Sequence, residues 1–230
     1  MMTKTDLSGF TPRPLPGGRV LQGRLVRLEP LSWPAHRDGL FAALGGAAHA
    51  AIWRHMAIGP FASAEMLRKS FTEAASDDWR TLVIRLLADS DIVGMASYMR
   101  NRPEHGSTEV GCIAYAPRLQ NSAAGTEAMA LMAAHVFDEL RYRRYEWKCD
   151  DANVASKRAA IRLGFTFEGV FRQDMVVKGR NRDTAWFSML DGEWPEVKAG
   201  YDAWLAPDNF DANDRQRRRL EACRQPLAAQ

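Results

Sequence analysis

The spacing of apolar positions changes period several times along the chain, and each change marks an element. Residues 21–30 alternate through Val26, Arg27, Leu28 and Glu29, and this period of two predicts a strand. Pro34 suits the first turn of a helix that carries Leu40, Phe41 and Leu44 and stops at Gly45-Gly46. Ser63 is placed to cap a second helix bearing Met66, Leu67 and Phe71. From Thr81 the period of two returns. Residues 81–87 predict a strand, Asp89-Ser90-Asp91 a turn, 92–100 a second strand, and 109–115 a third that Pro117 closes. Met129, Met132, Ala133, Val136, Phe137 and Leu140 then fall on one face of a helix. A strand over 145–149 and a helix over 154–163, ended by Gly164, form a second unit of the same kind. Strands over 167–177 and 183–190 follow, joined by a turn at Lys178-Gly179-Arg180-Asn181. The expected fold class is mixed α/β: a largely antiparallel sheet with helices packed on both faces. Residues 1–20, rich in Pro and Gly, read as an irregular leader, 21–195 as one domain and 196–230 as an appended helical tail.

Composition narrows the partners. Thirty-one basic against 28 acidic residues leave a charge of only +3, which argues against a dedicated nucleic-acid binder. Across residues 207–230 five Arg meet three Asp and one Glu, so the run from Arg215 to Arg219 reads as a solvated helix face. Cys112, Cys149 and Cys223 form no metal-ligand or redox spacing, and three is an odd number for a disulfide framework. A reducing cytoplasm is therefore the expected setting. Residues 1–21 lack the apolar core of a signal peptide. No apolar run approaches the ~18–20 residues a membrane helix needs, so no membrane association is expected.

The chemistry concentrates between Ser107 and Gly169. A strand ending at Tyr115 leads through Gln120-Asn121-Ser122-Ala123-Ala124-Gly125-Thr126, a run of small and polar side chains, into a helix. Unpaired amides at a helix start, the positive end of the macrodipole and small residues together make a site for anions. An ordinary strand-to-helix connection is the alternative reading of the same residues. Asn153 and Ser156 stand at the start of the next helix, where Asn is a common cap and a solvated Ser is common.

The order strand, Gln-x-x-small-x-Gly loop, helix, strand, Asn153-x-x-Ser156, helix, Leu163-Gly164-Phe165, Glu168-Gly169 resembles the GNAT superfamily of acyl-CoA-dependent N-acyltransferases. Within it, the pattern is most similar to the branch of ribosomal-protein N-terminal acetyltransferases. The resemblance spans roughly residues 21–195. It implies a splayed central strand pair, acetyl-CoA as donor, and a small-molecule or peptide amine as acceptor, and it leaves a homodimer open. The donor's phosphates would meet Gln120, Asn121, Ser122, Ala123, Ala124, Gly125 and Thr126, with Asn153 and Ser156 nearby. Ile113, Ala114 and Tyr115 would act through their backbone. Trp53, Arg54 and Phe61 become candidates for acceptor contact. The sequence departs from the family pattern twice: Asn121 and Ala123 stand where glycines are usual, and Ala160 stands where many relatives carry a proton-donating tyrosine.

Acyl transfer to an amine needs a base to remove the ammonium proton and an acid for the leaving thiolate. Glu109, two residues before Gly111 on the opening strand, is the expected base, with Asp174 a rival; Ser156 is the expected acid. Glu168 is expected to bind neighbouring backbone amides, and Cys149 to be a small buried hydrophobe. Two other functions fit parts of the sequence: a non-catalytic acyl-CoA-binding module, and a ribosome or nucleic-acid binder using the basic tail.

Overall fold

The computed structural model describes residues 6–75 and 78–224. One eight-stranded sheet runs through it in the order β1 (Leu21–Gln22), β2 (Val26–Pro30), β3 (Arg80–Leu86), β4 (Ile92–Arg102), β5 (Ser107–Tyr115), β6 (Arg144–Asp150), β8 (Arg180–Leu190), β7 (Thr166–Val177). All neighbours are antiparallel except β5 and β6, which run parallel because a helical crossover joins them. The mixed, largely antiparallel class expected from the period changes is the one observed.

Two helical layers cover the sheet. On one face α1 (Trp33–Leu44) and α2 (Ala64–Ala75) pack over β3, β4 and the end of β5, burying Leu40, Leu44, Trp53, Phe61, Leu67 and Phe71 against Val83, Met95 and Ala114. The Ser63 cap forms: its Oγ accepts the Met66 amide at 3.2 Å. On the other face α3 (Ala123–Ala134), α4 (Val154–Arg162), α5 (Trp194–Leu205) and the short α6 (Leu220–Arg224) close the larger core. The segment after Pro195 does not stand apart from this core. Val197, Tyr201, Trp204, Leu220 and Cys223 are buried in it, and the Arg224 guanidinium donates to the Arg162 carbonyl at 2.7 Å, capping α4. The leader likewise lies on the domain, with the Tyr142 hydroxyl donating to the Pro14 carbonyl at 3.1 Å.

Two features fix the crossover helix α3. Its last apolar positions continue through one π-helical turn, His135–Glu139. Near its start the buried Glu127 accepts the amides of Arg24 (2.9 Å), Leu25 (2.7 Å) and Val26 (2.9 Å), tying the helix to the β1–β2 turn. A carboxylate taking three backbone amides leaves the N-terminus of α3 little freedom to tilt.

Candidate active site

The central strands part. β5 and β6 pair from Ser107↔Arg144 to Val110↔Trp147 and no further. Beyond that point β5 stays with β4 as far as Gly94↔Tyr115, and β6 stays with β8 as far as Asp150↔Thr184. A β-bulge accompanies the parting. Ser97 pairs with Gly111 and Met95 with Ala114, so Cys112 and Ile113 together oppose one residue of β4, with Cys112 at φ 46°. A bulge increases local twist, which turns β5 away from its parallel neighbour. The fork expected from the resemblance is present, and residues 112–115 have no partner on β6.

One face of the fork carries the start of α3. Ser122 is the N-cap: its Oγ accepts the Gly125 amide at 3.0 Å and donates to the Leu119 carbonyl at 2.7 Å. Among the described residues no protein acceptor meets the amides of Asn121, Ser122, Ala123 and Ala124. Asn121, in the first of the usual glycine places, takes φ 54°, a region Asn tolerates. Ala123, in the second, is the first residue of the helix and needs no unusual backbone. Gly125 is required for space, because a Cβ there would stand 2.6 Å from the Leu119 carbonyl oxygen. The Gln120 side chain donates to the Tyr115 carbonyl at 2.8 Å and the Tyr115 hydroxyl to the Gly125 carbonyl at 3.0 Å, so both brace the loop. Burial pushes the Tyr115 hydroxyl far above its ordinary pKa.

At the start of α4, Asn153 Oδ1 accepts the Ser156 amide at 3.1 Å, so Asn153 is a cap. The Ser156 hydroxyl accepts the Trp147 indole N–H at 3.0 Å, which leaves its own proton to be donated elsewhere. Ala160 is fully buried, and no tyrosine replaces it in this helix. Cys149 is buried as expected, with its thiol pushed up by that burial, and the Cys112 thiol is pushed up to about 12 by the same cause.

The opposite face of the fork is charged. Glu109 Oε2 lies 2.9 Å from Lys148 Nζ and 3.6 Å from Arg100 Nε, so an ion pair bridges β5 and β6 where they part. Glu109 is 4% exposed. Burial raises its pKa above the ordinary carboxylate value, and the Lys148 and Arg100 charges only partly oppose that rise. Gly111 gives the carboxylate its room, since a Cβ there would stand 2.9 Å from Glu109 Oε1. Lys148 in turn lies over the Trp186 ring, 4.6 Å from its centroid. Further along β6, His55 Nδ1 is 2.9 Å from Asp150 Oδ2. Burial raises the Asp150 pKa, but the bonds from His55 and the Ala152 amide and the fields of His55 and Arg182 outweigh it and hold the carboxyl below its ordinary value.

Several candidates sit elsewhere than expected. Trp53 and Phe61 are interior residues of the smaller core, with the Trp53 indole N–H donating to the Leu44 carbonyl at 2.8 Å. They support the wall from behind, and only Arg54 of the three is exposed. Among the described residues Glu168 binds no backbone amide; Arg144 and the Ser188 hydroxyl hold it at 2.7 Å. Asp174 is exposed in the bulge of the edge strand β7, next to the Met175 that pairs with Arg182. Lys148, His55, Asp150 and Arg182 were not singled out from the sequence. A signal was there: β6 alternates Tyr145, Trp147 and Cys149 with Arg144, Glu146, Lys148 and Asp150, so one face of a central strand is wholly charged.

Among the described residues no helix is long and apolar enough to cross a membrane, and no cluster of His, Cys, Asp and Glu could hold a metal ion. The family profile described as "Acetyltransferase (GNAT) domain" matches residues 26–166. The crystal structure of a GCN5-related N-acetyltransferase from Brucella melitensis is similar with a TM-score of 0.91 at 44% identity, over 95% of this chain and 99% of that one. A GNAT-family acetyltransferase structure from Chromobacterium violaceum gives 0.77 at 36% identity, over 85% and 98%. YdaF of Bacillus subtilis, whose name proposes a ribosomal N-acetyltransferase, is 26% identical over 136 residues, 56% of this chain and 74% of that protein. A forked parallel strand pair, a braced loop at a helix N-terminus and a profile match over more than half of the sequence agree: the chain belongs to the GNAT family of acetyltransferases.

Proposed function

We propose that the chain transfers the acetyl group of acetyl-CoA to a primary amine, with the donor held on the α3–α4 face of the fork and the amine entering from the α1–α2 face. The observation that carries this reading is the parting of β5 and β6 between four unpaired amides on one face and a buried Glu109 on the other. The residues present fit the donor. The amides of Asn121 to Ala124 suit its pyrophosphate, and the unpaired edge of residues 112–115 suits its extended arm. The thioester supplies an acyl group already activated for transfer.

Glu109 receives the ammonium proton through a water, so the amine nitrogen can attack the acyl carbon. The C–N bond forms first, moving the carbonyl electrons onto oxygen, and collapse of that tetrahedral oxyanion breaks the C–S bond. The nitrogen's second proton passes to solvent as the amide forms. Ser156, its oxygen held by Trp147, gives a proton to the leaving sulfur and regains one from solvent. Free strand amides near Ile113 stabilise the developing oxyanion. The acceptor is a small-molecule amine or, as the name of YdaF suggests, a protein N-terminus.

The test is release of coenzyme A thiol from acetyl-CoA across a panel of primary amines, with the product identified by mass. Amine-dependent release matched by an N-acetyl product is expected. Tight coenzyme A binding without release for any amine would replace the enzyme reading with that of an acyl-CoA-binding module.

A further inference from the structure

The amine-entry face sorts its charges in a way that bears on the acceptor. Four carboxylates share this face, and each already has a partner. Glu109 is held by Lys148 and Arg100, Glu146 by Arg102 (2.8 Å) and Arg144 (2.7 Å), Glu168 by Arg144 and Ser188, and Asp150 by His55. Each of these charges is thus offset by a cation or a donor, although the buried Oε2 of Glu146 accepts no bond among the described residues. The cation Arg182 is different. Its guanidinium meets no hydrogen-bond or ion-pair partner among the described residues, and its Nε is buried without one.

Register places Arg182 at the wide end of the fork. Thr184 pairs with Asp150, the last residue of β6, and Arg182 lies two residues further on the same face by the strand's period of two. The segment from Trp53 to Ile58 reaches this end of the face. Lys178 Nζ, at the β7–β8 turn, donates to the Trp53 carbonyl at 2.9 Å, and His55 meets Asp150. Two more donors stand in line with Arg182. Thr184 is 2% exposed with its hydroxyl unpartnered, and the Trp186 indole N–H is buried and unpartnered among the described residues. A buried donor without a protein partner is available to an acceptor from outside the chain, a water or a ligand.

We propose that Arg182, with Thr184 beside it, selects amines that also carry a carboxylate, so that amino acids and related amino-carboxylates are the acceptor class and polycationic amines are not. A guanidinium is suited to bidentate binding of a carboxylate, and a hydroxyl adds a third donor. The inference rests on the acyl transfer proposed above and narrows its acceptor.

Calorimetry on the full chain loaded with coenzyme A tests it, with L-amino acids, the matched L-amino-acid amides and spermidine as probes. Amino acids are expected to bind about 10- to 100-fold more tightly than their amides, the range of a charge-assisted hydrogen bond, and spermidine more weakly still. Arg182→Gln should abolish the preference, Arg182→Lys should restore part of it, and coenzyme A affinity should stay unchanged in both, which also reports that they fold. Amides binding as tightly as amino acids would overturn the proposal in favour of peptide N-termini. A carboxylate preference that survives Arg182→Gln would overturn it too. Spermidine binding more tightly than the amino acids would overturn the acceptor class and leave acyl transfer standing, as would binding of none of these probes.

Discussion

The two faces of the fork recognise their ligands by different means. On the α3–α4 face the groups on offer are backbone: four free amides at a helix start and an unpaired strand edge, framed by side chains no larger than they must be. On the α1–α2 face the groups are side chains, with Glu109 in an ion pair with Lys148 and His55 within hydrogen-bond distance of Asp150. Backbone groups are fixed by the fold, so the first face keeps its chemistry as long as the loop keeps its shape. Ion pairs depend on each partner, so the second face changes character with single substitutions. The contrast matches a common donor on one side and a variable acceptor on the other.

The sharpest way to break this contrast is Glu109→Gln, which keeps the shape of the charged face and removes its base. A fall in kcat of roughly 10²- to 10³-fold at neutral pH is expected, partly rescued at high pH where free amine is abundant. The wild-type acid limb should lie above the ordinary carboxylate range. Glu109 must be ionised to act, and burial raises its pKa, so activity appears at a higher pH than an exposed glutamate would give. A pH–rate profile of kcat in both proteins checks this; an unchanged profile returns Glu109 to a structural ion pair. A rise in KM with kcat unchanged assigns it to attracting the ammonium instead.

A smaller effect is expected on the backbone-dominated face. Ser156→Ala removes the proton donor while Trp147 and Asn153 remain, and should lower kcat about tenfold. That is below the ~10²-fold low end for a general acid, because a thiolate leaves readily near neutral pH. Single-turnover kinetics with coenzyme A affinity measured alongside separates a slower chemical step from weaker binding. An unchanged single-turnover rate leaves Ser156 as the acceptor that fixes Trp147.

The two faces also differ in how much of them could be read from the sequence. Element order, the caps Ser63 and Asn153, and the stop at Gly164 were legible because each rests on local spacing. So was the loop into α3, where Asn121 and Ala123 proved to need no glycine for different reasons: one tolerates positive φ, the other is already helical. The charged face was legible only in part. Glu109 could be placed beside Gly111 by the period of two, but Lys148 becomes its partner through the pairing of β5 with β6, a contact between distant parts of the chain. Trp53 was a candidate for acceptor contact through the family resemblance alone. Burial against Phe61 and Phe71 decides otherwise, and burial is set by tertiary packing. The end of the sequence, with Tyr201, Trp204 and Phe210, suggested an appendage, and these aromatic residues proved to pack into the larger core.

The central claim is that the start of α3 holds the donor's pyrophosphate, and calorimetry of coenzyme A with Ala123→Glu tests it most directly. Position 123 is the first helical residue and half-buried, and a carboxylate there interacts favourably with the helix dipole. The variant should therefore fold with an unchanged or higher melting temperature while its charge repels the phosphates. Coenzyme A affinity is expected to fall at least tenfold, about 1.4 kcal/mol or more. A folded Ala123→Glu protein that binds coenzyme A as tightly as the wild type would contradict this placement of the donor.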